Sequence, residues 1–560
     1  MSCGMYALLW ATCLSAGAVS CARLSSPLGP VVDLGYAAFA GNTTSPAGIT
    51  NGSVAFFGAI PYAQPPLGNL RFRAPRQLNE TGLTKQVTDA RNWGPPCIQR
   101  PAVVGIGSED CLTLNIWKPT NASEGTKLPV VVYIHGGGFY YGTPQGFPMY
   151  DWIAQNNGII AVSITYRLGM LGFLGGPAVA ADGDLNVGLL DQRAGLEWIQ
   201  RHITKFGGDP ANVTISGESA GGASVVMQVV AYGGSKPGPF RRAIAQSIGF
   251  GPTSTEAQVE ATFKNAVSFV GCPENSMSCL RSASIGAIVS AINRTPNGQF
   301  SPIIDGPSGF LPDLPSRLIS AGNFNTVDFI GGHCTGDGRT FAGGKPSQFI
   351  TEDDVRRLVF SRWPGVSNAT IDNALRLYPS PDTPGSPFAT QYDRAYTMAG
   401  EIIFTCMDWF LANKLRSKAI KNVFAYSWDA PDTVLYNTNP FLGAMHTSDL
   451  YYLFSGMLTT HTFGNAGNTF TAFNTSETVL SKEAIAYWTS FAAKGDPNAR
   501  KDSNSPGWPT FEDSTDVRLR LIRGNNNNNN TDTRSEDISM QEIQRCQFWM
   551  SENVTAETLV

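Results

Sequence analysis

The chain has 560 residues, of which 42% are hydrophobic and 15% charged, and its formal net charge is -4. This composition is typical of a globular protein with a large buried core. A sequence pI near 5.8, with no basic run, argues against a nucleic-acid partner, because such a chain has no concentrated positive surface for phosphates.

Residues 1–22 predict a secretory signal peptide, because an apolar stretch at 5–18 is followed by small residues and is too short to span a bilayer. No other segment approaches transmembrane length, so we expect no integral membrane association. We expect residues 23–560 to form a single domain. Export also agrees with sequons that are candidates for N-glycosylation: Asn42, Asn51, Asn79, Asn121, Asn293, Asn368, Asn474 and Asn553.

The segment 127–250 predicts buried strands that alternate with helices. Continuous apolar runs at 130–134 and 159–167 indicate strands that are covered on both faces, as in a mostly parallel sheet. Residues 189–203 have helical spacing, and a short strand at 212–217 is followed at once by a helix rich in small residues. The order strand, helix, strand, tight turn, helix predicts an α/β fold around a large central sheet.

The tight turn carries the sequence GESAG, in which Gly217 and Gly221 flank Ser219. Glycine on both sides lets a serine occupy a strained position above the sheet, next to the N-terminus of the following helix. The pattern G-x-S-x-G alone is weak in a chain with 59 glycines. Its place between a strand and a helix favours Ser219 as a nucleophile.

A second glycine motif, HGGGF at 135–139, ends the strand 130–134. Glycines expose main-chain N–H groups, and a loop of this kind supplies oxyanion donors next to a nucleophilic serine. Gly137, Gly138 and the N–H of Ala220 are the candidate donors. The alternative is that the motif is only a flexible turn.

Nucleophilic serine needs a base, and the chain has five histidines. In folds that carry the nucleophilic serine on such a strand-turn-helix motif, the chain order is serine, acid, histidine. The base should therefore lie well after Ser219, which leaves His446 and His461 as candidates. We prefer His446, which precedes an apolar stretch in GAMHTSDLYYLF with Ser448 or Asp449 as a helix cap. His461 lies in the Thr-rich segment LTTHTF, where an exposed side chain is the simpler interpretation.

The acid of a triad should follow a strand and lie between the serine and the histidine. Asp337 fits this position, since it is flanked by glycines after the apolar run in VDFIGGHCTGDG. Asp305, in SPIIDG, is the main rival. Either residue could instead stabilise an Asx turn.

These motifs, with others along the chain, resemble the type B carboxylesterase family, which includes cholinesterases, fungal secreted lipases and the non-enzymatic neuroligins. The resemblance covers nearly the whole mature chain. It implies the α/β-hydrolase fold. The segments that carry it are FFGAIPYAQPPLGNLRFRAP, EDCLTLNIWKP, HGGGF, LLDQRAGLEWIQRHI, GGDPANVTISGESAGG, GAMHTSDL and RCQFW.

The resemblance implies Ser219 as nucleophile, His446 as general base and Asp337 as acid, at a position where most members carry glutamate. It also implies Gly137, Gly138 and Ala220 as oxyanion donors. The disulfides that it implies pair Cys97 with Cys111, Cys272 with Cys279, and Cys406 with Cys546. Cys334 would then be a buried, unpaired thiol that takes no part in catalysis.

The loop between Cys97 and Cys111 is shorter than the lids of the family's interfacial lipases, which predicts an open mouth. It contains no aromatic residue, whereas cholinesterases use a tryptophan there to hold a quaternary ammonium group. Choline esters are therefore not the expected preferred substrate.

The sequence thus predicts a secreted serine ester hydrolase that forms an acyl-enzyme and uses no metal or organic cofactor. Its substrate would be a small-molecule or lipid ester. The first alternative is a lipase or sterol esterase for long acyl chains. The second is a non-catalytic binding protein like the neuroligins, which the presence of serine, histidine and acid disfavours.

Overall fold

The structure is a computed structural model, and it describes residues 25–44, 52–82, 86–454, 471–512, 516–525 and 529–560. The predicted signal peptide, Asn51 and His461 lie outside these ranges.

Thirteen strands run through the described residues, most of them short and buried. They are β1 Val31–Asp33, β2 Ala38–Ala40, β3 Val54–Pro61, β4 Val87–Asp89, β5 Thr113–Pro119, β6 Leu128–Ile134, β7 Ile160–Ile164, β8 Gly208–Glu218, β9 Arg242–Gln246, β10 Asp328–Cys334, β11 Val423–Trp428, β12 Val517–Leu521 and β13 Arg534–Asp537.

Helices fill the connections between the strands. Those of the first half are α1 Tyr150–Gln155, α2 Gly169–Phe173, α3 Pro177–Asp182, α4 Val187–His202, α5 Ala220–Val230, α6 Glu256–Val270, α7 Met277–Ser282, α8 Ile285–Arg294 and α9 Pro315–Ala321. Those of the second half are α10 Asp337–Phe341, α11 Glu352–Arg362, α12 Asn368–Leu377, α13 Gln391–Gly400, α14 Cys406–Ser417, α15 Thr433–Thr438, α16 Ser448–Leu453, α17 Thr475–Lys494, α18 Met540–Trp549 and α19 Glu552–Thr558. A π-helical segment, Glu401–Thr405, joins α13 to α14.

Ten of the strands form one sheet, in the order β13-β12-β11-β10-β9-β8-β6-β7-β5-β3. The pairs from β12 through β7 are parallel, and the pairs at the two edges are antiparallel. The strands β1, β2 and β4 form a separate three-stranded sheet. The prediction of a large, mostly parallel sheet flanked by helices is confirmed.

The predicted elements of the first half lie close to where the sequence places them. The run 130–134 belongs to β6, 159–167 contains β7, and 189–203 contains most of α4. Both strands are buried along their apolar residues because helices cover the two faces of the sheet. The interior of the sheet thus accounts for the continuous apolar runs.

The parallel register brings the two glycine motifs together. Ile134, the last residue of β6, lies opposite Gly217 of the neighbouring strand β8. Parallel strands have their carboxyl ends at the same edge of a sheet, and the ends of β6, β8 and β10 therefore converge. This edge carries the candidate site.

Candidate active site

Ser219 occupies the sharp turn between β8 and α5, where its backbone has φ 60° and ψ -125°. Positive φ in a non-glycine residue is strained and is frequent at functional turns. A Cβ atom on Gly217 would lie 2.5 Å from Gly221 O, and one on Gly221 would lie 2.1 Å from Ile134 O. Only glycine therefore fits on either side of this serine.

Backbone hydrogen bonds hold the turn in place. Ser219 N donates to Gln246 O at 3.0 Å, and Ser219 O accepts from Ala223 N at 2.8 Å and from Gly249 N at 3.1 Å. The side chain of Ser219 is partly exposed, although the strand before it and the helix after it are buried. Ser219 is thus partly accessible, while the elements on both sides of it are packed in the core.

His446 and Asp337 form a buried pair beside this turn. Nδ1 of His446 lies 2.8 Å from Oδ1 of Asp337, and the two side chains are 7% and 2% exposed. Oδ2 of Asp337 accepts a hydrogen bond from Cys334 N at 3.0 Å, so the carboxylate is fixed by the end of β10. A carboxylate on Nδ1 sets the tautomer that leaves Nε2 as the proton acceptor.

The loops that carry the pair are tied together by their backbones. Gly336 N donates to Ala444 O at 2.8 Å, and Gly336 and Met445 form an isolated parallel bridge. A Cβ atom on Gly336 would lie 2.7 Å from Ala444 O. The glycine before the acid thus permits the close approach of the histidine loop.

Nε2 of His446 is buried and has no hydrogen-bond partner among the described residues. It lies 3.2 Å from Oε1 of Glu218, the residue before the serine. The rings of Phe341 and Phe404 lie 5.1 Å and 4.6 Å from the imidazole, centroid to centroid. Catalytic hydrogen bonds are often loose without substrate, so an unengaged Nε2 near the serine turn fits a general base.

Charge around the imidazole favours its protonated form. Burial by itself lowers the pKa of His446, but Glu218 and Asp337 outweigh burial and raise this pKa to about 9. Burial raises the pKa of Glu218 to about 8, while the charge on His446 acts in the opposite direction. The surrounding carboxylates therefore stabilise an imidazolium when His446 takes up a proton.

Asp449 extends this network beneath the pair, and the sequence did not predict its role. Its Oδ2 accepts from Gln246 Nε2 at 2.6 Å and from the Tyr426 hydroxyl at 3.3 Å. Burial raises the pKa of Asp449 to about 6. The expectation of a cap at Ser448 or Asp449 is wrong, since Thr447 is the N-cap residue of α16 and makes no side-chain cap bond.

The glycine loop approaches the serine turn closely. A Cβ atom on Gly136 would lie 2.5 Å from Glu218 O and 3.0 Å from Ser219 Cβ. Gly137 and Gly138 have φ values of 104° and 61°, which favour glycine. Their N–H groups donate to no acceptor within the described ranges, and Ala220 is the first residue of α5. These amides fit donors for an oxyanion.

The loop between Cys97 and Cys111 is attached to the glycine loop. The side-chain amide of Gln99 makes two hydrogen bonds to Gly142: Nε2 donates to Gly142 O at 3.0 Å, and Oε1 accepts from Gly142 N at 2.8 Å. Arg100 N donates to Tyr140 O at 2.9 Å. Farther along, the loop presents exposed apolar side chains: Val103, Val104 and Ile106.

The remaining candidates for base and acid lie in other surroundings. Asp305 accepts from Asn186 Nδ2 and from the backbone N–H groups of Phe310 and Leu311, so it stabilises a turn away from the imidazole. His135 stacks on a tyrosine, while His202 and His333 pair with carboxylates elsewhere. Of the histidines that the structure describes, His446 is the one that pairs with Asp337.

The structure contains the three disulfides that the resemblance implies, Cys97–Cys111, Cys272–Cys279 and Cys406–Cys546. Cys334 is free and buried, and its Sγ lies 3.7 Å from Oδ1 of Asp449. Burial raises the pKa of this thiol, which keeps it protonated and poorly reactive.

The described sequon asparagines lie at the surface, with Asn42 partly covered. Asn79, Asn121, Asn293, Asn368, Asn474 and Asn553 are exposed. The amide groups of Asn42 and Asn293 are engaged, since their Nδ2 atoms donate to backbone carbonyls of Arg91 and Ala102. Exposure makes glycosylation feasible at most of these positions, and it stays a prediction.

The profile of the Carboxylesterase family matches residues 29–549 of the chain. The chain belongs to the carboxylesterase family. This carboxylesterase is 32% identical to Lipase 1 of Geotrichum candidum, over 88% of its own chain and 92% of that protein. It is 30% identical to Secreted lipase 1 of Botryotinia fuckeliana (strain B05.10), over 83% and 85% of the two chains.

The crystal structure of EstA from Aspergillus niger matches the carboxylesterase with a TM-score of 0.81 at 29% identity. The match covers 95% of this chain and 99% of that chain. The α/β-hydrolase fold and a carboxylic-ester hydrolase activity are thus confirmed. No helix within the described ranges is long and apolar enough to cross a membrane, and the same ranges contain no cluster of metal-ligating side chains.

Proposed function

We propose that this carboxylesterase cleaves esters by two-step acyl transfer, with Ser219 as nucleophile, His446 as general base and Asp337 as the acid that orients it. The observation that carries the proposal is the buried Asp337–His446 pair, 2.8 Å apart, next to a serine held at positive φ. A serine nucleophile requires a nearby base that an acid holds in place, and His446, held by Asp337 and 3.2 Å from the residue before Ser219, fits that role.

In the first step, Ser219 Oγ attacks the ester carbonyl while Nε2 of His446 takes the hydroxyl proton. The tetrahedral intermediate collapses to an acyl-serine, and the same proton passes to the leaving alkoxide to give the alcohol. In the second step, water attacks the acyl-serine and gives its proton to Nε2. Collapse then releases the carboxylic acid and returns the proton to Ser219.

The negative oxygen of each intermediate would bind the N–H groups of Gly137, Gly138 and Ala220. A preorganised donor costs no reorganisation during the reaction, and loss of one donor typically slows an enzyme by roughly 10²–10³-fold. Asp337 and Glu218 would stabilise the imidazolium that exists at the same moment. The site would therefore balance both developing charges with protein groups alone.

A fluorescent alkyl phosphonate tests the proposal, because it labels an activated serine covalently. We expect labelling of the wild type, none of Ser219→Ala, and unchanged labelling of Ser235→Ala, which removes an exposed hydroxyl elsewhere. A wild type that takes no label would contradict the proposed mechanism. It would favour the alternative of a binding protein that has kept the fold.

The substrate that the loop 97–111 favours is a short or aromatic acyl ester rather than a long-chain glyceride. The thirteen residues between Cys97 and Cys111 are too few for a long lid. Two observations favour the second candidate, a lipase: the exposed apolar side chains of this loop and the lipase names of the relatives. Rates across an acyl-chain series, below and above the solubility limit of each ester, distinguish the two. A jump in rate once the ester exceeds its solubility limit and forms an oil–water interface would contradict the proposal of a short-chain esterase.

We also propose that the enzyme is secreted after removal of residues 1–22, with residues 23–560 as one domain. Three disulfides agree with an oxidising compartment, and relatives such as Secreted lipase 1 are named as secreted. The N-terminal sequence of protein purified from culture medium tests the cleavage. Full-length protein retained in cells would contradict it.

A further inference from the structure

Two arginines near the site have no carboxylate partner among the described residues. Arg362, the last residue of α11, and Arg100, in the loop 97–111, form no ion pair within the described ranges. Both side chains are only partly exposed. Removing a guanidinium from water without a counterion is unfavourable, so an anion that reached these side chains would be stabilised there.

Arg362 is separated from the imidazole by one aromatic ring. Its Nε donates to Phe341 O at 2.9 Å, and its Cζ lies 5.2 Å from the centroid of the Phe341 ring. The same ring lies 5.1 Å from the imidazole of His446 and nearly perpendicular to it. Phe341 is the last residue of α10, which begins with Asp337. The guanidinium is therefore held at a fixed distance from the reacting atoms.

The other side of the site also leads to these arginines. Tyr140 packs on the glycine loop, since a Cβ atom on Gly138 would lie 2.6 Å from its ring. Burial raises the pKa of Tyr140, and the charges of Arg100 and Arg362 act against this rise. Arg100 N also donates to Tyr140 O at 2.9 Å, so both arginines lie on the Tyr140 side of the glycine loop.

The donors of these side chains are largely unused. The two Nη groups of Arg362 have no acceptor in the part of the chain that the structure describes, because its one side-chain hydrogen bond uses Nε. Nη1 of Arg100 is buried and also has no partner there. A guanidinium with free Nη groups matches a carboxylate, which can accept two parallel hydrogen bonds.

We propose that Arg362, with Arg100 beside it, binds a carboxylate of the substrate, so that the enzyme prefers esters that carry a second, ionised carboxyl group. This inference deepens the proposed function and rests on it. The ester carbonyl would lie at Ser219 and the free carboxylate at the mouth. Half-esters of dicarboxylic acids are the simplest substrates of this class.

The test compares monomethyl adipate, which is anionic, with dimethyl adipate, which is neutral and of similar shape, by initial rates. We expect the ratio of the two kcat/KM values to fall at least roughly tenfold in Arg362→Gln, because a hydrogen bond to a charged group contributes more than a neutral one. Arg362→Lys keeps the charge but not the bidentate geometry, and should retain part of the preference. Monomethyl succinate, with a shorter chain, and monomethyl suberate, with a longer one, then report the distance between the carboxylate subsite and the ester carbonyl at Ser219.

The matched control is Arg357→Gln, on the same helix, because Arg357 is exposed and pairs with Asp354. It should leave the ratio unchanged. If Arg362→Gln fails to fold by circular dichroism, Arg362→Lys and Arg100→Gln carry the test, and an unchanged ratio in both overturns the inference.

Failure of this inference is distinguishable from failure of the proposed function. If the wild type takes the phosphonate label and hydrolyses dimethyl adipate, but Arg362→Gln keeps the wild-type ratio, the carboxylate subsite is wrong and the esterase mechanism stands. If the wild type takes no label and hydrolyses neither ester, both fail.

Discussion

At the scale of single residues, Asp337 accepts hydrogen bonds on both carboxylate oxygens. One accepts from the imidazole of His446 and the other from the backbone N–H of Cys334, so the side chain has little freedom to move. Aspartate is one methylene shorter than glutamate. The bridge between Gly336 and Met445 brings the acid and histidine loops close together, so that the shorter side chain still contacts the imidazole. The geometry therefore explains how aspartate can serve at this position.

Asp337→Asn should lower kcat by roughly 10³–10⁴-fold, because an amide favours the wrong tautomer of His446 and carries no charge to stabilise the imidazolium. Steady-state hydrolysis of a soluble short-chain ester measures this. Asp313→Asn, which changes an exposed carboxylate, is the control. Retention of more than a tenth of wild-type kcat would exclude Asp337 as the triad acid.

Glu218→Gln should shift the acidic limb of the pH profile of kcat/KM to lower pH. His446 must be neutral to accept a proton, so activity is present above the pKa of His446 and is lost as the pH falls through it. Glu218 raises that pKa, so its removal should lower the apparent pKa of the acidic limb. An acidic limb that stays in place or moves upward would contradict this electrostatic role.

At the scale of structural elements, the first part of the loop 97–111 is fixed by hydrogen bonds to two neighbouring elements. Its first residues bond the glycine loop, and Ala102 bonds the side chain of Asn293 on α8. Asn293 Oδ1 accepts from Ala102 N at 2.8 Å and Nδ2 donates to Ala102 O at 2.7 Å. This clasp positions the loop that carries Arg100.

Asn293→Ala should increase the hydrogen-exchange rate of Ala102 and its neighbours, because it removes two partly buried hydrogen bonds. Exchange measured by mass spectrometry on the loop peptide checks this. Asn368→Ala, at an exposed sequon on α12, is the control. Unchanged protection of the loop in Asn293→Ala would show that the disulfide and the glycine loop alone hold it.

Glycan occupancy should be lower at Asn293 than at Asn368. Both bonds of the clasp lie on one edge of the amide, so the hydrogen that Nδ2 donates is the one cis to Oδ1. In a trans amide the glycan replaces this same hydrogen, so the bond from Nδ2 to Ala102 O is lost. A glycosylated Asn293 could keep both bonds only as a cis amide, which costs about 2.5 kcal/mol. Glycopeptide mass spectrometry measures the occupancies; full occupancy at Asn293 with retained protection of Ala102 would contradict this argument.

At the scale of the whole molecule, the Cys406–Cys546 disulfide joins α14, beside the central sheet, to α18, the helix before the C-terminal helix α19. It spans 140 residues, whereas Cys272–Cys279 spans seven. Chain-entropy arguments give the longer loop a contribution of about 5 kcal/mol and the shorter one about 2 kcal/mol. The longer disulfide thus adds a covalent link between the C-terminal segment and the body of the fold.

The double variant Cys406→Ala/Cys546→Ala should therefore lose more stability than Cys272→Ala/Cys279→Ala. Burial of Cys406 and Cys546 adds to the difference, because alanine there leaves a space in a packed core. Thermal unfolding followed by circular dichroism compares the midpoints. An equal fall for the two variants would contradict the entropic argument.

Much of this arrangement follows from local sequence. The apolar runs, the glycines around Ser219 and the HGGGF motif predict strands, a strained turn and a loop of free amides, because those effects depend on neighbours in the chain. The sequence by itself thus determined the fold class and singled out Ser219 as the candidate nucleophile. The resemblance along the chain added the family, which the family profile confirms, and the pairing of the cysteines, which the structure contains.

Only the tertiary structure decided which histidine meets which acid. His446 and Asp337 are 109 residues apart, and local pattern could not choose between Asp337 and Asp305. Asp449 was a candidate helix cap, yet it lies buried near Asp337 and His446, and no sequence pattern pointed to Arg362. Such contacts depend on how strands and helices pack in space, which no short stretch of sequence specifies.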